Sequence, residues 1–492
     1  MSELNKLVQI VTKRHQRNAP LLNFNDKKIT KELKLFYDIQ SGNLKPQPRH
    51  KKAPDSAELR MTRARLRKKL LNHLFFLNFN DPYIKVSHRY EQECLDLLHQ
   101  ARVLIKEGEY QLSEKLLRSA LKIAQQTEFT QHILTATDML RQVYVQTSQM
   151  LQFKKVSRNL AYHRNLLQKE QEAEELYYTA KLEINRSVSA KKNFLTKLGD
   201  ILQQLKDLWE QNKSFTIYEL YYKTNIWYHE LTNDFGSIIT ITSETEQMLA
   251  SNALNKLRFD DRYNKYIKTY AYLRDRQYAE GLKYAGMHAE MFNRASNNWF
   301  AFMENYFLLA MNNGSYDVAA RIFSEVNTNP FYQKIRKAAQ ETWQLYQAYL
   351  HFIYPFAKVT KQFNYQSFVI SVPEFSKDKQ GFNVAILILQ FLHFLKNREL
   401  EQLLYRIESL KKYAGRHLKG DFSIRSQLFF KLLMLVVKED LHPEKCRRKG
   451  RALADKLAAT PPPGDAFAEI EIIPYEHLWE EILRMLAKPE KQ

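Results

Sequence analysis

The stretch Lys106-Glu107-Gly108-Glu109-Tyr110 decides how this chain reads. It sits between two runs with helical spacing, and Gly108 is the residue type that lets a chain leave one helix and enter another. Similar turn-plus-aromatic segments follow: Met150-Leu151-Gln152-Phe153, Asn233-Asp234-Phe235, Asp275-Arg276-Gln277-Tyr278, Asn313-Gly314-Ser315-Tyr316 and Asn397-Arg398-Glu399-Leu400. Their anchors, Tyr110, Phe153, Phe235, Tyr278, Tyr316 and Leu400, are 43, 82, 43, 38 and 84 residues apart. The two largest steps are each two periods of about forty residues. A fixed period with helical patterns on both sides of each turn implies stacked helical hairpins.

The rest of the composition agrees with an all-α chain. Only 12 Gly and 14 Pro punctuate 492 residues, too few for the many turns of an all-β or Rossmann-type organisation. A hydrophobic content of 44% supplies a continuous core. Cys94 and Cys446 stand far apart without a CxxC partner, so neither a zinc site nor a disulfide framework is expected. The N-terminus lacks the apolar core of a signal peptide. The longest uncharged apolar run, Phe382 to Leu395, is shorter than the roughly 20 residues of a membrane span. A reducing cytoplasm is the expected compartment.

The first hairpin is the clearest, with one helix over Glu91 to Lys106 and the next over Gln111 to Gln126. Ser113, Leu117 and Ala120 follow Tyr110 in a small–large–small series, and Ala101 precedes it at the crossing point. Tyr316 repeats the arrangement with Gly314 before it and Ala319, Phe323 and Val326 after it, while Tyr278 has Gly281 and Ala285. This pattern resembles the tetratricopeptide repeat, over residues from about 86 to 415. The period is longer than the family's, as helices one turn longer would make it. The resemblance implies an α-solenoid whose inner surface binds a protein or peptide.

The predicted domains are a basic helical module over 1–83, a repeat array over 84–459 and a C-terminal capping segment over 460–492. In the first module, helices are expected over Glu3 to Arg14, Lys28 to Gln40 and Ser56 to Phe76, with a Pro-containing linker at 45–54. Leu59, Leu66, Leu70, Leu74 and Leu77 of the third helix fall on one stripe. Two interruptions of the array are expected, at Asn185 to Lys192 and at Tyr365 to Asn383. The tail after Pro461-Pro462-Pro463-Gly464 ends in a helix with Leu478, Trp479, Ile482, Leu483 and Leu486, apt for covering the array's exposed end.

The net charge of +21 is uneven: residues 1–90 hold 20 Lys/Arg against 7 Asp/Glu. Arg60, Arg63, Arg65, Arg67, Lys68 and Lys69 form the densest cluster. Such a run reads as a solvated helix face, as a phosphate-binding surface for nucleic acid, or as a patch meeting a membrane or another acidic surface. No HExxH pair, Walker or GxGxxG loop, or GxSxG elbow is present, so neither an enzyme nor a bound cofactor or metal is expected. Asp260-Asp261 reads as helix N-capping, and His351 and His393 read as structural residues. Tyr263, Lys265, Tyr266, Lys268, Tyr270 and Arg274 interleave aromatics with cations, as a surface for an acidic or C-terminal-carboxylate ligand would. The expected function is therefore a non-enzymatic adaptor. The alternative is a nucleic-acid-associated regulator whose basic module contacts phosphate.

Overall fold

The computed structural model describes residues 3–14, 21–22, 24, 29–41, 57–78, 85–186, 188–355, 383–417, 424–460 and 471–487. Among them are twenty α-helices, three short 3-10 turns and no strand. The chain forms two compact units, residues 1–167 and 168–492. In both, helices consecutive in sequence pack on one another, as stacked hairpins require.

The first unit contains α1 (Glu3–Arg14), α2 (Lys31–Gln40), α3 (Ala57–His73), α4 (Val86–Lys106), α5 (Tyr110–Gln126), α6 (Thr130–Gln146) and the first half of α7 (Met150–Ile184). Its core joins Cys94, Leu98 and Ala101 of α4 to Leu117, Ala120 and Ala124 of α5 and to Ala136, Leu140 and Val143 of α6. The small residues set the packing distance. Ala101 and Ala120 have no exposed surface, and Ser113 donates to the Ala101 carbonyl at 3.1 Å. Cys94 is buried, and desolvation, helped by Glu91 and Glu93, pushes its thiol up to about 11. That makes it a core residue and a poor nucleophile.

α2 and α3 form a smaller pair around Leu22, Leu35 and Leu66. His73 Nε2 lies 2.8 Å from the Leu22 amide and ties the end of α3 to the chain before α2. α1 is fixed to the α4–α5 hairpin by ion pairs of Lys6 with Glu109 and of Glu3 with Lys115, the latter at 3.3 Å. Thr62 and Leu66 of α3 are buried, but Leu70, Leu74 and Leu77 of the same stripe are exposed. The linker at 45–54 lies outside the described residues.

The second unit continues with the rest of α7, α8 (Val188–Asn212), α9 (Phe215–Leu231), α10 (Phe235–Ala250), α11 (Asp261–Arg274), α12 (Tyr278–His288), α13 (Asn297–Asn312), α14 (Tyr316–Asn327) and α15 (Lys337–Ile353). After a gap in the description come α16 (Asn383–Lys396), α17 (Leu400–His417), α18 (Ile424–Lys438), α19 (Pro443–Ala459) and α20 (Tyr475–Ala487). The expected excursion at Tyr365 to Asn383 falls outside the described residues except for Asn383, the first residue of α16. The interruption at Asn185 to Lys192 is narrower than expected, because α8 has already begun at Val188. One core runs from Ala285 to Leu486 and contains Trp299, Phe302, Phe307, Trp343, Tyr346, Phe391 and Phe429. Burial of each such ring contributes on the order of 1.5–3 kcal/mol.

A single turn design is reused between helices. After α4, Glu107 keeps near-helical angles, Gly108 takes φ +78°, Glu109 is non-helical and α5 starts at Tyr110. The Glu109 amide donates to the Leu104 carbonyl at 2.9 Å, the six-to-one bond of a helix C-terminal motif. The same bond joins Phe129 to Ala124, Gln149 to Tyr144, Asp234 to His229, Gln277 to Tyr272, Ser315 to Ala310 and Glu399 to Phe394, at 2.8–3.0 Å. The left-handed position is glycine at 108 and 314. Elsewhere it is Glu128, Ser148, Asn233, Arg276 or Arg398, each with φ between 54° and 61°. Those non-glycine residues carry the local cost of an L-residue in that conformation.

α20 closes the second unit. Tyr475, Leu478, Trp479, Ile482, Leu483 and Leu486 are buried against α18 and α19. The close approach needs Gly450, where an added Cβ would stand 2.8 Å from Cζ2 of Trp479. Arg425 of α18, almost fully buried, anchors the tail polarly to Glu471, Glu476 and the carbonyls of Leu457 and Thr460.

Candidate functional site

The interleaved tyrosines and cations of the second unit all lie on α11, and their polar ends are engaged within the fold. Lys265 Nζ is 2.7 Å from one Glu246 carboxylate oxygen and Lys268 Nζ 2.8 Å from the other. Tyr284 of α12 also donates to Glu246. Asn264 donates to the Thr242 carbonyl at 3.2 Å and accepts from Tyr222 at 2.6 Å. Burial alone would raise the Glu246 pKa, but hydrogen bonds from Lys265, Lys268 and Tyr284 outweigh it and leave the carboxyl below its ordinary range. Lys268 also sits 4.8 Å from the Tyr284 ring centroid.

The remaining members are equally committed. Tyr270 donates to Glu230 at 3.3 Å, and the Arg274 guanidinium lies over Phe235 at 5.5 Å and over the Tyr270 ring at 6.0 Å. Tyr263 meets Tyr222 edge-on and desolvation pushes its phenol up to about 12; burial likewise raises Tyr266. α10 and α11 are thus joined by two lysines on one carboxylate, and Tyr284 ties α12 to the same group. Asp260 occupies the N-cap position of α11, but its side chain makes no capping bond there. It lies 3.5 Å from Arg262 instead.

The basic cluster on α3 is more exposed. Arg60, Arg63, Arg65, Arg67 and Lys68 are exposed, while Lys69 is partly covered and 3.9 Å from Glu32. Glu58 is engaged with Lys31. These cations face solvent.

A third arrangement was not foreseen from the sequence. In the first unit, α4, α6 and α7 enclose a groove of about 610 Å³. Leu134 and Met139 of α6, Ile105 of α4 and Leu160 and Leu167 of α7 supply its apolar surface. Arg102 and Lys106, one turn apart on α4, and Arg164 of α7 supply its charge. Asp138 also lines the groove, but its carboxylate is 2.6 Å from Arg141. Among the described residues no carboxylate pairs with Arg102, Lys106 or Arg164. The groove therefore keeps a net positive charge over an apolar floor. This is the combination that holds an extended acidic chain with apolar side chains between its carboxylates. The sequence signal was slight: two cations spaced by four on the first hairpin's leading helix, and a third some sixty residues later.

Among the described residues no three His, Cys, Asp or Glu side chains converge as metal ligands, and no helix is long and apolar enough to cross a membrane. Fold and groove together define the class: an all-α protein of stacked helical hairpins. Compared with models of known families, with curated proteins and with solved structures, the chain matches none.

Proposed function

We propose that this chain is a non-enzymatic adaptor, a divergent relative of tetratricopeptide-repeat proteins, that holds an extended acidic segment of another protein in the α4–α6–α7 groove. The observation that carries this reading is the set of cations that pair with no carboxylate among the described residues, Arg102, Lys106 and Arg164, around Ile105, Leu134, Met139, Leu160 and Leu167. Packing of Ala101, Ser113 and Ala120 holds the helices that present them. A preformed groove spares the ligand-bound state much of the ordering cost of a mobile one. The α11 cations take a supporting part in this reading: they fix the second unit's hairpins and leave ligand capture to the groove.

The test is fluorescence anisotropy on the full chain with a labelled peptide alternating Glu and Leu, against the same peptide with Gln for Glu. Binding of the acidic form alone, weakened by salt, is expected. Arg102→Glu with Arg164→Glu should weaken it by at least about 100-fold, since each lost charge-assisted contact contributes roughly 1.5–3 kcal/mol. Equal binding by the Gln peptide, or by the double variant, would remove the proposal.

A further inference from the structure

α3 presents a stripe that neither the groove nor the core uses. Its inner face is defined by the buried Thr62 and Leu66 and by His73, which bonds to Leu22. Away from that face Arg60, Arg63 and Arg67 follow at spacings of three and four, Leu71 and Leu74 continue the same line, and exposed Leu70 stands between this line and the Leu66 face. The 3-10 turn Leu74–Phe76 then carries Phe75 and Phe76 at the tip, 73% and 70% exposed, followed by exposed Leu77. Arg65 and Lys68 flank the stripe and are also exposed.

Charge and apolar surface therefore share one side of the helix at different heights, cations along the shaft and large apolar side chains at the end. A solvated charged face has no use for two phenylalanines at that exposure. A surface with anionic headgroups outside and hydrocarbon a few ångströms deeper matches both halves of the stripe. We infer that α3 and its 3-10 tip dock the protein onto an anionic phospholipid bilayer. Phe75, Phe76 and Leu77 enter the acyl boundary while Arg60, Arg63 and Arg67 meet the headgroup phosphates. One short apolar tip gives reversible attachment, so the helix lies against the bilayer and does not span it. The groove of the same unit is separate from the stripe, and the inference does not depend on the groove's ligand.

The experiment is co-sedimentation of the full chain with vesicles of phosphatidylcholine alone or with phosphatidylserine added. Binding should require the anionic lipid and fall as salt rises. Phe75→Ser with Phe76→Ser changes only exposed side chains and should cut binding at least about tenfold, as should Arg60→Glu with Arg63→Glu and Arg67→Glu. The inference is overturned if phosphatidylserine vesicles bind no better than phosphatidylcholine alone. It is equally overturned if the phenylalanine variant binds as well as the wild type, or if an oligonucleotide binds to α3 while the vesicles do not, which would make the cluster a nucleic-acid surface.

Discussion

Arg425 joins α18 to the C-terminal tail, and replacing it by methionine isolates that connection. Its guanidinium donates to Glu471 at 2.8 Å, to Glu476 at 2.8 Å and to the carbonyls of Leu457 and Thr460 at 2.8 and 2.6 Å. The side chain is 3% exposed, Glu471 12% and Glu476 26%. Methionine fills much of the volume but leaves two carboxylates facing each other, while the Thr460 carbonyl keeps its bond from Arg276 and the Leu457 carbonyl its bond from the Thr460 amide. Removing one partner of a buried ion pair costs roughly 3–5 kcal/mol; partial exposure of Glu476 places this case near the lower end, about 3 kcal/mol. The two units make global unfolding a poor assay, because it need not be two-state. Amide hydrogen exchange over Tyr475–Ala487 reads the connection locally. About 3 kcal/mol corresponds to a protection loss of roughly 100-fold in α20. Adding Glu471→Gln and Glu476→Gln to Arg425→Met removes the stranded charges and should restore most of the protection. Exchange within about threefold of wild type in the single variant would refute the assignment of Arg425 as the anchor. The pH dependence has a definite sign. Burial would raise the Glu476 pKa, but Arg425 lowers it below its ordinary value. Its contribution is thus present above the unfolded carboxyl pKa of about 4.3, and protection of α20 should fall as pH drops through the lowered value.

Gly450→Ala should loosen the same helix by about 1–3 kcal/mol in exchange measurements, because its Cβ would collide with Trp479 and press on Leu432. At the turns, Gly108→Ala meets no atom within 4 Å, so its cost of about 1–2 kcal/mol in urea melts of the first unit is purely conformational. The reverse change, Ser148→Gly at φ 56°, should stabilise that unit slightly, by about 0.5 kcal/mol after glycine's extra chain entropy is subtracted. Glu246→Gln leaves Lys265 and the buried Lys268 without their shared carboxylate and should destabilise the second unit by about 2–4 kcal/mol near neutral pH. That penalty should shrink as pH falls through the lowered Glu246 pKa, where the native carboxyl is itself neutralised; circular dichroism in urea at two pH values measures it.

The fold was legible wherever the turn announced itself. Tyr110, Phe235, Tyr278, Tyr316 and Leu400 are each the first residue of a helix, but Met150-Leu151-Gln152-Phe153 is not the expected turn: the turn lies at Thr147-Ser148-Gln149 and those four residues open α7. The turn at Thr127-Glu128-Phe129 has the same hydrogen bond as the others yet falls between the forty-residue anchors Tyr110 and Phe153, so a reading built on that period passes over it. The unbroken length of α7 also left no mark, since no glycine or proline ends one hairpin helix and begins another along it. Sites were harder. The basic run on α3 is local and could be read directly, but whether Leu70 and Leu74 would be covered depended on α2, whose apolar packing stops at Leu66. On α11 the cations were visible while their partner was not: Glu246 lies on the preceding helix, and nothing local pairs it with Lys268 in advance. The groove needs three helices, and its cations on α4 and α7 are up to 62 residues apart, so only the packing of α4, α6 and α7 assembles it.

Hydrogen exchange of the full chain with and without the Glu–Leu peptide measures most directly whether the α4–α6–α7 groove is the surface that takes the proposed ligand. Peptide-dependent protection is expected at residues 102–106, 134–142 and 160–167, with no change over 261–274. Protection concentrated on α11, or binding without protection around the groove, would contradict it.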